Sequence, residues 1–149
     1  MKKAPFLLLL FISSLGWGQT FDSVVDFELE LSTLSDPAVA ARAIDEGKIV
    51  ILEGLLGDAV IRGSGAETQI WVTLIGGAWI GTDEVRSFGC RLIFQGESWL
   101  EVFPETAPRD PGPNYVPLGS RLLVAARITD FDQEATLPIA EMVNFRVLD

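Results

Sequence analysis

The sequence contains no histidine and only one cysteine among its 149 residues. Histidine is the commonest general base, so its absence excludes Ser-His and Cys-His catalytic pairs and removes a frequent metal ligand. Cys90 cannot form a disulfide within the chain, because it has no second cysteine to pair with. It shares strand parity with Phe88, Leu92 and Phe94. That parity predicts a buried structural thiol, with an intermolecular bridge or a reactive thiol as the alternatives.

Basic residues are also scarce. The chain has 11 Lys and Arg against 21 Asp and Glu, which gives a net charge of −10 at pH 7. Nucleic-acid backbones bind proteins by charge neutralisation, and a field of this sign repels them. The sequence has no basic stripe to overcome that field. We therefore expect no nucleic-acid partner.

The N-terminus has the pattern of an export signal. Two lysines precede the apolar run Phe6–Ile12, and small residues follow the run before Gln19. This order is typical of a cleaved signal peptide, and the run is shorter than the about 20 residues that a membrane anchor needs. We predict a signal peptide over residues 1–18 and a single domain over residues 19–149. The mature chain would have no integral membrane segment and would be periplasmic or secreted.

Three apolar runs punctuated by glycine occupy the middle of the chain. They cover Ile49–Ile61, Gln69–Ile80 and Phe88–Phe103 and are rich in β-branched and aromatic residues, which is typical of strands. Glycines inside such runs mark the bulges and bends that curl a sheet into a barrel. A proline-rich loop follows. Two further strands are predicted over Gly119–Thr129 and Ile139–Leu148.

The segment before these runs predicts less regular structure. Val25–Leu31 alternates apolar and acidic residues, which favours a half-buried strand or an extended arm. Asp36 and Pro37 are suited to begin a short helix, as N-cap and first helical residue. Gly47 is suited to end it in a left-handed conformation. We predict one short helix on the N-terminal side of the sheet.

This order of elements resembles an OB-fold barrel, which has five strands and a segment inserted between the third and the fourth. Ala38–Gly54, an Ala-rich helix followed by Gly-Lys and an apolar strand, is similar to the start of the tRNA-anticodon-like OB domains of exported bacterial proteins. Phe88–Phe94 resembles their third strand, and Leu118–Ser120 loosely resembles the start of their fourth. The resemblance covers residues 38–148. It implies a mainly β chain, a five-stranded OB-like barrel with one short N-terminal helix.

Ligands of OB folds usually lie across the second and third strands, where this sequence places several aromatic residues. Exposed, these rings would stack on sugars, on peptidoglycan or on an apolar partner. Buried, they would fill the barrel, and we expect this for Trp71, whereas Trp79 and Trp99 are expected to be partly exposed. The candidate ligand-binding residues are Trp71, Trp79, Trp99, Phe103 and Tyr115.

The turn before the last strand carries acidic residues at the spacing of a calcium-binding loop. Ala135 stands where such a loop needs glycine, and Pro138 interrupts it. The alternative is a solvated acidic hairpin. No other cofactor is expected. The candidate Ca²⁺ ligands are Asp130, Asp132, Glu134 and Glu141.

Composition and resemblance together favour a binding function over catalysis. We predict an exported, non-catalytic binding or protein-interaction module whose partner is a protein or a cell-envelope component. The alternatives are a carboxylate-based hydrolase acting on cell-wall glycan, and a calcium-stabilised structural domain.

Overall fold

The computed structural model describes residues 23–149. In this part of the chain the fold is mainly β, with a closed five-stranded barrel, one extra strand and short helices. The predicted OB-like barrel is confirmed. The strands are β1 (Val25–Asp26), β2 (Ile49–Arg62), β3 (Gln69–Ile80), β4 (Glu84–Gln95), β5 (Arg121–Asp132) and β6 (Leu137–Leu148), and the α-helices are α1 (Leu31–Leu34) and α2 (Pro37–Glu46).

The strands follow the order β1-β2-β3-β4-β6-β5, and the pairing of β2 with β5 closes the barrel. β2, β3 and β4 form an antiparallel meander. β4 and β6 run parallel, with Arg91 opposite Ile139. The extra strand β1 lies parallel to β2, outside the closed barrel. Because β1 is not part of the barrel, β3 and β4 are its second and third strands. Ligands of OB folds usually lie across these two strands.

Glycines in β2 allow the strand to bend as it passes from one neighbour to the next. The register with β3 shifts between Leu56 and Asp58, so Gly57 sits at a bulge, as predicted. At Gly54 a Cβ atom would lie 2.8 Å from the carbonyl oxygen of Ile75, which is closer than real Cβ contacts. A larger residue at Gly54 would therefore force a local shift of β2 or β3.

Aromatic residues close one end of the barrel. The chain leaves β4 at Gln95, earlier than the predicted run Phe88–Phe103, because Gly96 has a φ of 103° that ends the extended conformation. The ring centroid of Phe94 lies 5.0 Å from that of Trp99 and 4.7 Å from that of Phe103. Phe145 of β6 completes this cluster. The end of the proline-rich segment that follows is held next to this cluster, because the backbone N–H of Val116 donates a hydrogen bond to the carbonyl oxygen of Val102 at 3.0 Å.

The strand predicted over Val25–Leu31 is confirmed only for Val25–Asp26, and the remainder of the prediction is wrong. The Oδ1 atom of Asp26 accepts hydrogen bonds from the backbone N–H groups of Glu28, at 2.9 Å, and Leu29, at 3.3 Å. This local turn takes N–H groups that a strand would need for its ladder, so β1 ends at Asp26.

The predicted helix is confirmed as α2. The Oδ1 atom of Asp36 accepts a hydrogen bond from the backbone N–H of Ala38 at 2.8 Å, and Pro37 is the first helical residue. Gly47 ends the helix with a φ of 60°. The predicted signal peptide lies outside the described residues. Between residues 23 and 149 no helix is long and apolar enough to span a membrane.

Candidate functional site

Strand alternation decides which side chains of β3 can meet a ligand. Ile70, Val72 and Leu74 are fully buried in the barrel. Because successive side chains of a strand point to opposite sides, Trp71 and Thr73 lie on the outside. Trp71 is half-buried there. The expectation that Trp71 fills the barrel is wrong, since its two neighbours already point inward.

The strands on either side of β3 add residues to this outer surface. Val60 of β2 and Ile93 of β4 lie opposite Trp71, Arg62 lies opposite Gln69, and Arg91 lies opposite Thr73. We call this surface the Trp71 face. It comprises Val60, Arg62, Gln69, Trp71, Thr73, Arg91 and Ile93.

Two guanidinium groups lie near the indole ring on this face. The Cζ atom of Arg62 is 4.0 Å from the ring centroid of Trp71, and that of Arg91 is 5.7 Å from it. Both distances are within the range of cation–π attraction. The indole Nε1–H donates a hydrogen bond to Oε1 of Gln69 at 2.9 Å, which fixes the orientation of the ring. The result is an ordered aromatic and cationic platform.

The two arginines differ in how far they are neutralised. Arg91 donates a hydrogen bond from Nη1 to Oδ2 of Asp132 at 3.1 Å. Backbone hydrogen bonds, foremost that from Ala135, and the Arg91 guanidinium lower the pKa of Asp132, so this carboxylate stays ionised. Arg62 has no carboxylate ion pair within residues 23–149. Arg62 is therefore the less compensated positive charge.

Acidic side chains limit the positive charge around the face. Asp58 of β2 is exposed and lies opposite Thr73. A carboxylate oxygen of Glu105 accepts a hydrogen bond from the backbone N–H of Ile61 at 2.7 Å. Any anionic ligand would therefore find few positive charges on this surface, and aromatic stacking would have to supply much of its affinity.

The five aromatic candidates do not form one site. Trp79 is 73 % exposed in the β3–β4 hairpin, as expected for a surface residue. Trp99 and Phe103 pack in the aromatic cluster at the end of the barrel, and Phe103 is only 1 % exposed. The suggestion that Phe103 contacts a ligand is corrected, because burial removes its ring from the surface. Tyr115 is half-buried in the proline-rich loop.

The acidic turn does not gather metal ligands. In the described part of the chain no group of three or more His, Cys, Asp or Glu side chains is placed to hold a metal ion. Asp132 lies opposite Leu137, so the connection is a tight hairpin turn rather than a long loop. The Oδ1 atom of Asp132 accepts hydrogen bonds from the N–H groups of Glu134 and Ala135, both at 3.0 Å. Asp130 and Glu141 belong to the two flanking strands.

The prediction that Cys90 is buried is confirmed. Burial raises the pKa of its thiol from 9.0 to about 12. The folded chain therefore keeps the proton at alkaline pH, where the unfolded chain loses it, so this thiol contributes stability below pH 9 that is lost as the pH rises from 9 towards 12.

We expect Cys90 to resist a thiol reagent at pH 8 in the folded chain and to react fully in denaturant. The measurement is the labelling rate followed by absorbance, with the unfolded chain as the control. Rapid labelling of the folded chain would contradict the burial.

No protein-family model matches the chain, and no curated protein matches its sequence. Among solved structures it is similar to a small single-stranded DNA-binding protein from Streptomyces coelicolor, with 11 % identity, a TM-score of 0.46, and coverage of 67 % of this chain and 91 % of that one. It is also similar to a Plasmodium falciparum SSB in complex with ssDNA, with 16 % identity, a TM-score of 0.38, and coverage of 68 % of this chain and 94 % of that one. A third similar structure is a putative aspartyl-tRNA synthetase from Leishmania major Friedlin, with 15 % identity, a TM-score of 0.43, and coverage of 87 % of this chain and 22 % of that one. These likenesses concern the fold alone.

Two predictions made from the sequence are corrected here. We predicted a protein-interaction module and excluded a nucleic-acid partner, whereas two of the solved structures with a similar fold are single-stranded DNA-binding proteins. The physical reason for the error lies in the charge. The prediction treated the net negative charge as evenly distributed over the surface, although Arg62 and Arg91 both lie beside Trp71. The location itself depends on residues 1–18, outside the described part of the chain, and stays a prediction.

Proposed function

We propose that the chain binds single-stranded nucleic acid on the Trp71 face and catalyses no reaction. The observation that carries this proposal is the Arg62 guanidinium 4.0 Å above the ring centroid of a half-buried, outward-facing Trp71. An aromatic ring and a cation in contact with each other match the two parts of a nucleotide, its base and its phosphate.

The ring supplies the base contact. Every nucleobase has a π face, so stacking on an indole tolerates any base sequence. The hydrogen bond from Trp71 to Gln69 holds the ring in one orientation, which reduces the entropy that binding would cost. The Arg62 guanidinium is planar and can also stack on a base, so it extends the platform where it covers the ring.

The overall negative charge weakens such binding without excluding it. At physiological salt the Debye length is about 8 Å, so exposed charges farther away are largely screened. Close to Trp71 the positive charges are Arg62 and Arg91, and Asp132 compensates the second of them. We therefore expect about one phosphate contact, made by Arg62, and a slope of log K against log salt of about −0.7.

The site favours unpaired bases. In a duplex the base faces are stacked inside the helix, and only their edges are available in the grooves. A single ring on the side of a sheet cannot reach a stacked base face, whereas single strands can splay their bases onto it. Lack of catalysis is proposed because the chain has no histidine and its one thiol, Cys90, is buried and protonated.

The proposal is tested by fluorescence anisotropy with 5′-labelled dT12, the full chain and a labelled duplex of equal length, at several salt concentrations. We expect dT12 to bind with a Kd of about 10⁻⁴ to 10⁻⁶ M and the duplex to bind more weakly. Arg62→Ala should reduce the salt slope by about 0.7, because one phosphate contact is lost. Absence of dT12 binding at the lowest salt, or equal binding of the duplex, would contradict the proposal.

Removing the negative charge beside Arg91 should strengthen binding. Asn in place of Asp132 keeps the Oδ1 acceptor for the N–H groups of Glu134 and Ala135, so the turn is retained. The freed Arg91 can then contact a phosphate, and we expect Asp132→Asn to lower the Kd for dT12 about three- to tenfold. Asp45→Asn, which removes the same charge on α2, is the control and should have little effect. An equal gain from both variants would show that only the net charge matters.

A further inference from the structure

The β3–β4 hairpin extends the Trp71 face as a two-stranded ribbon. Its pairs run from Gly76 opposite Phe88 to Ile80 opposite Glu84. Near the far end, Trp79 is 73 % exposed, and Val85, its cross-strand partner, is 53 % exposed. Together the two side chains leave a contiguous apolar patch in water, and such patches are typical of interaction sites.

Trp71 and Trp79 lie on the same side of this ribbon. The pairing of β3 with β4 continues from Gln69 to Ile80 without a register shift. Because side chains alternate, residues separated by an even number of positions share a face. The two rings are eight positions apart, which corresponds to about 26 Å along the strand.

The surface between the two rings carries less side-chain bulk towards the hairpin turn. Moving outward from Trp71, the cross-strand pairs on this side are Thr73–Arg91, Ile75–Gly89 and Gly77–Ser87. Gly77 and Ser87 place little side-chain bulk on the ribbon, so an extended polymer can lie close to it there. Nearer Trp71, Ile75 is 40 % exposed and Leu137 of β6 lies over Gly89, where a Cβ atom would be 2.8 Å from its Cδ2 atom, so these two side chains border the path. Arg91 begins this path. Asp83 and Glu84 form the acidic end of the hairpin beyond Trp79, where a polyanion would turn away.

We propose that Trp79 is a second stacking position for the same single strand, which runs along the ribbon from the Trp71 face towards the hairpin turn. This inference rests on the proposed function of the Trp71 face. Nucleotides advance by 3.4 Å when stacked as in a duplex strand and by up to about twice that when extended, so about four to eight of them span the two rings. That length falls within the site sizes of about 4–16 nucleotides known for OB folds.

The test compares dT3, which is too short to reach both rings, with dT12. Both are titrated into the full chain and into Trp79→Ala. We expect Trp79→Ala to weaken dT12 binding about 5- to 100-fold and to leave dT3 binding unchanged, because only the longer strand loses a stacked base. Trp79→Phe keeps an aromatic ring and should restore most of the dT12 affinity. Val143→Ala, an apolar truncation at an exposed position of β6, is the matched control.

The outcomes separate this inference from the function on which it rests. If Trp79→Ala binds dT12 as tightly as the unchanged chain, the second position does not exist although the Trp71 face still binds. If Val143→Ala weakens dT12 binding equally, the effect is general apolar adhesion and the inference fails. If the unchanged chain binds neither oligonucleotide, the proposed function fails. Because Trp79 is largely exposed, denaturant unfolding of Trp79→Ala should match that of the unchanged chain.

Discussion

Replacing Trp71 by alanine is expected to weaken dT12 binding about 10- to 100-fold. The substitution removes the ring on which a base would stack, and it also removes the surface that holds the Arg62 guanidinium in place. Gln69 loses the indole N–H as a hydrogen-bond donor, but it lies on the outside of the barrel and can bond to water. Anisotropy titrations at constant salt measure the change.

Two variants separate stacking from general apolar contact. Trp71→Phe keeps an aromatic ring and should lose only a few-fold in affinity. Ile93→Ala removes an apolar side chain directly opposite Trp71 without removing a ring, and it should change the Kd by less than about threefold. If Ile93→Ala weakens binding as much as Trp71→Ala, the face binds through apolar area and the stacking account is wrong.

The largest effect on stability is expected at Phe94. Its side chain is 1 % exposed, and its ring packs against those of Trp99, Phe103 and Phe145. Alanine would leave a cavity at the centre of this cluster, and we expect the free energy of unfolding to fall by about 3–5 kcal/mol. Domains of this kind are stable by about 5–15 kcal/mol, so a large part of the stability would be lost.

Denaturant unfolding followed by circular dichroism measures this loss. Phe94→Leu fills most of the space and should cost clearly less than Phe94→Ala. Val85→Ala, at an exposed position of the same strand, should stay within about 0.5 kcal/mol of the unchanged chain. A loss below about 1 kcal/mol for Phe94→Ala would mean that the cluster does not close the barrel.

Features determined by neighbouring residues could be predicted from the sequence. Asp36, Pro37 and Gly47 begin and end α2 through local hydrogen bonds and backbone angles, and no distant contact is needed. Apolar runs broken by glycine likewise indicated the barrel strands and the bulge at Gly57. The strand predicted over Val25–Leu31 failed beyond Asp26 because the Asp26 side chain takes two backbone N–H groups, although the hydrophobic alternation is present.

The outward orientation of the Trp71 side chain could have been predicted from the sequence. Gln69 and Thr73 flank it at even spacing, whereas apolar residues occupy the positions between, so alternation alone places Trp71 outside. Our prediction gave more weight to the large apolar side chain than to this period. In a predicted strand, an aromatic residue whose neighbours two positions away are polar is the sequence signal that indicates an outward-facing ring.

The assembly of the Trp71 face could not be predicted in this way. Arg62, Trp71 and Arg91 lie on three different strands, and their proximity depends on the registers of β2 with β3 and of β3 with β4. The ion pair of Arg91 with Asp132 joins residues 41 positions apart. A net charge averages over all these positions, and it therefore conceals two arginines beside one aromatic ring.

The most direct test of the account follows the indole N–H signals of Trp71 and Trp99 by two-dimensional ¹⁵N–¹H NMR while dT12 is added to the full chain. Trp71 and Trp99 are assigned by single Trp→Phe substitutions. Trp99 packs inside the aromatic cluster and serves as an internal reference. We predict that the Trp71 signal shifts in a saturable manner while the Trp99 signal stays in place. An unchanged Trp71 signal at saturating dT12, or equal shifts of both signals, would contradict binding on the Trp71 face.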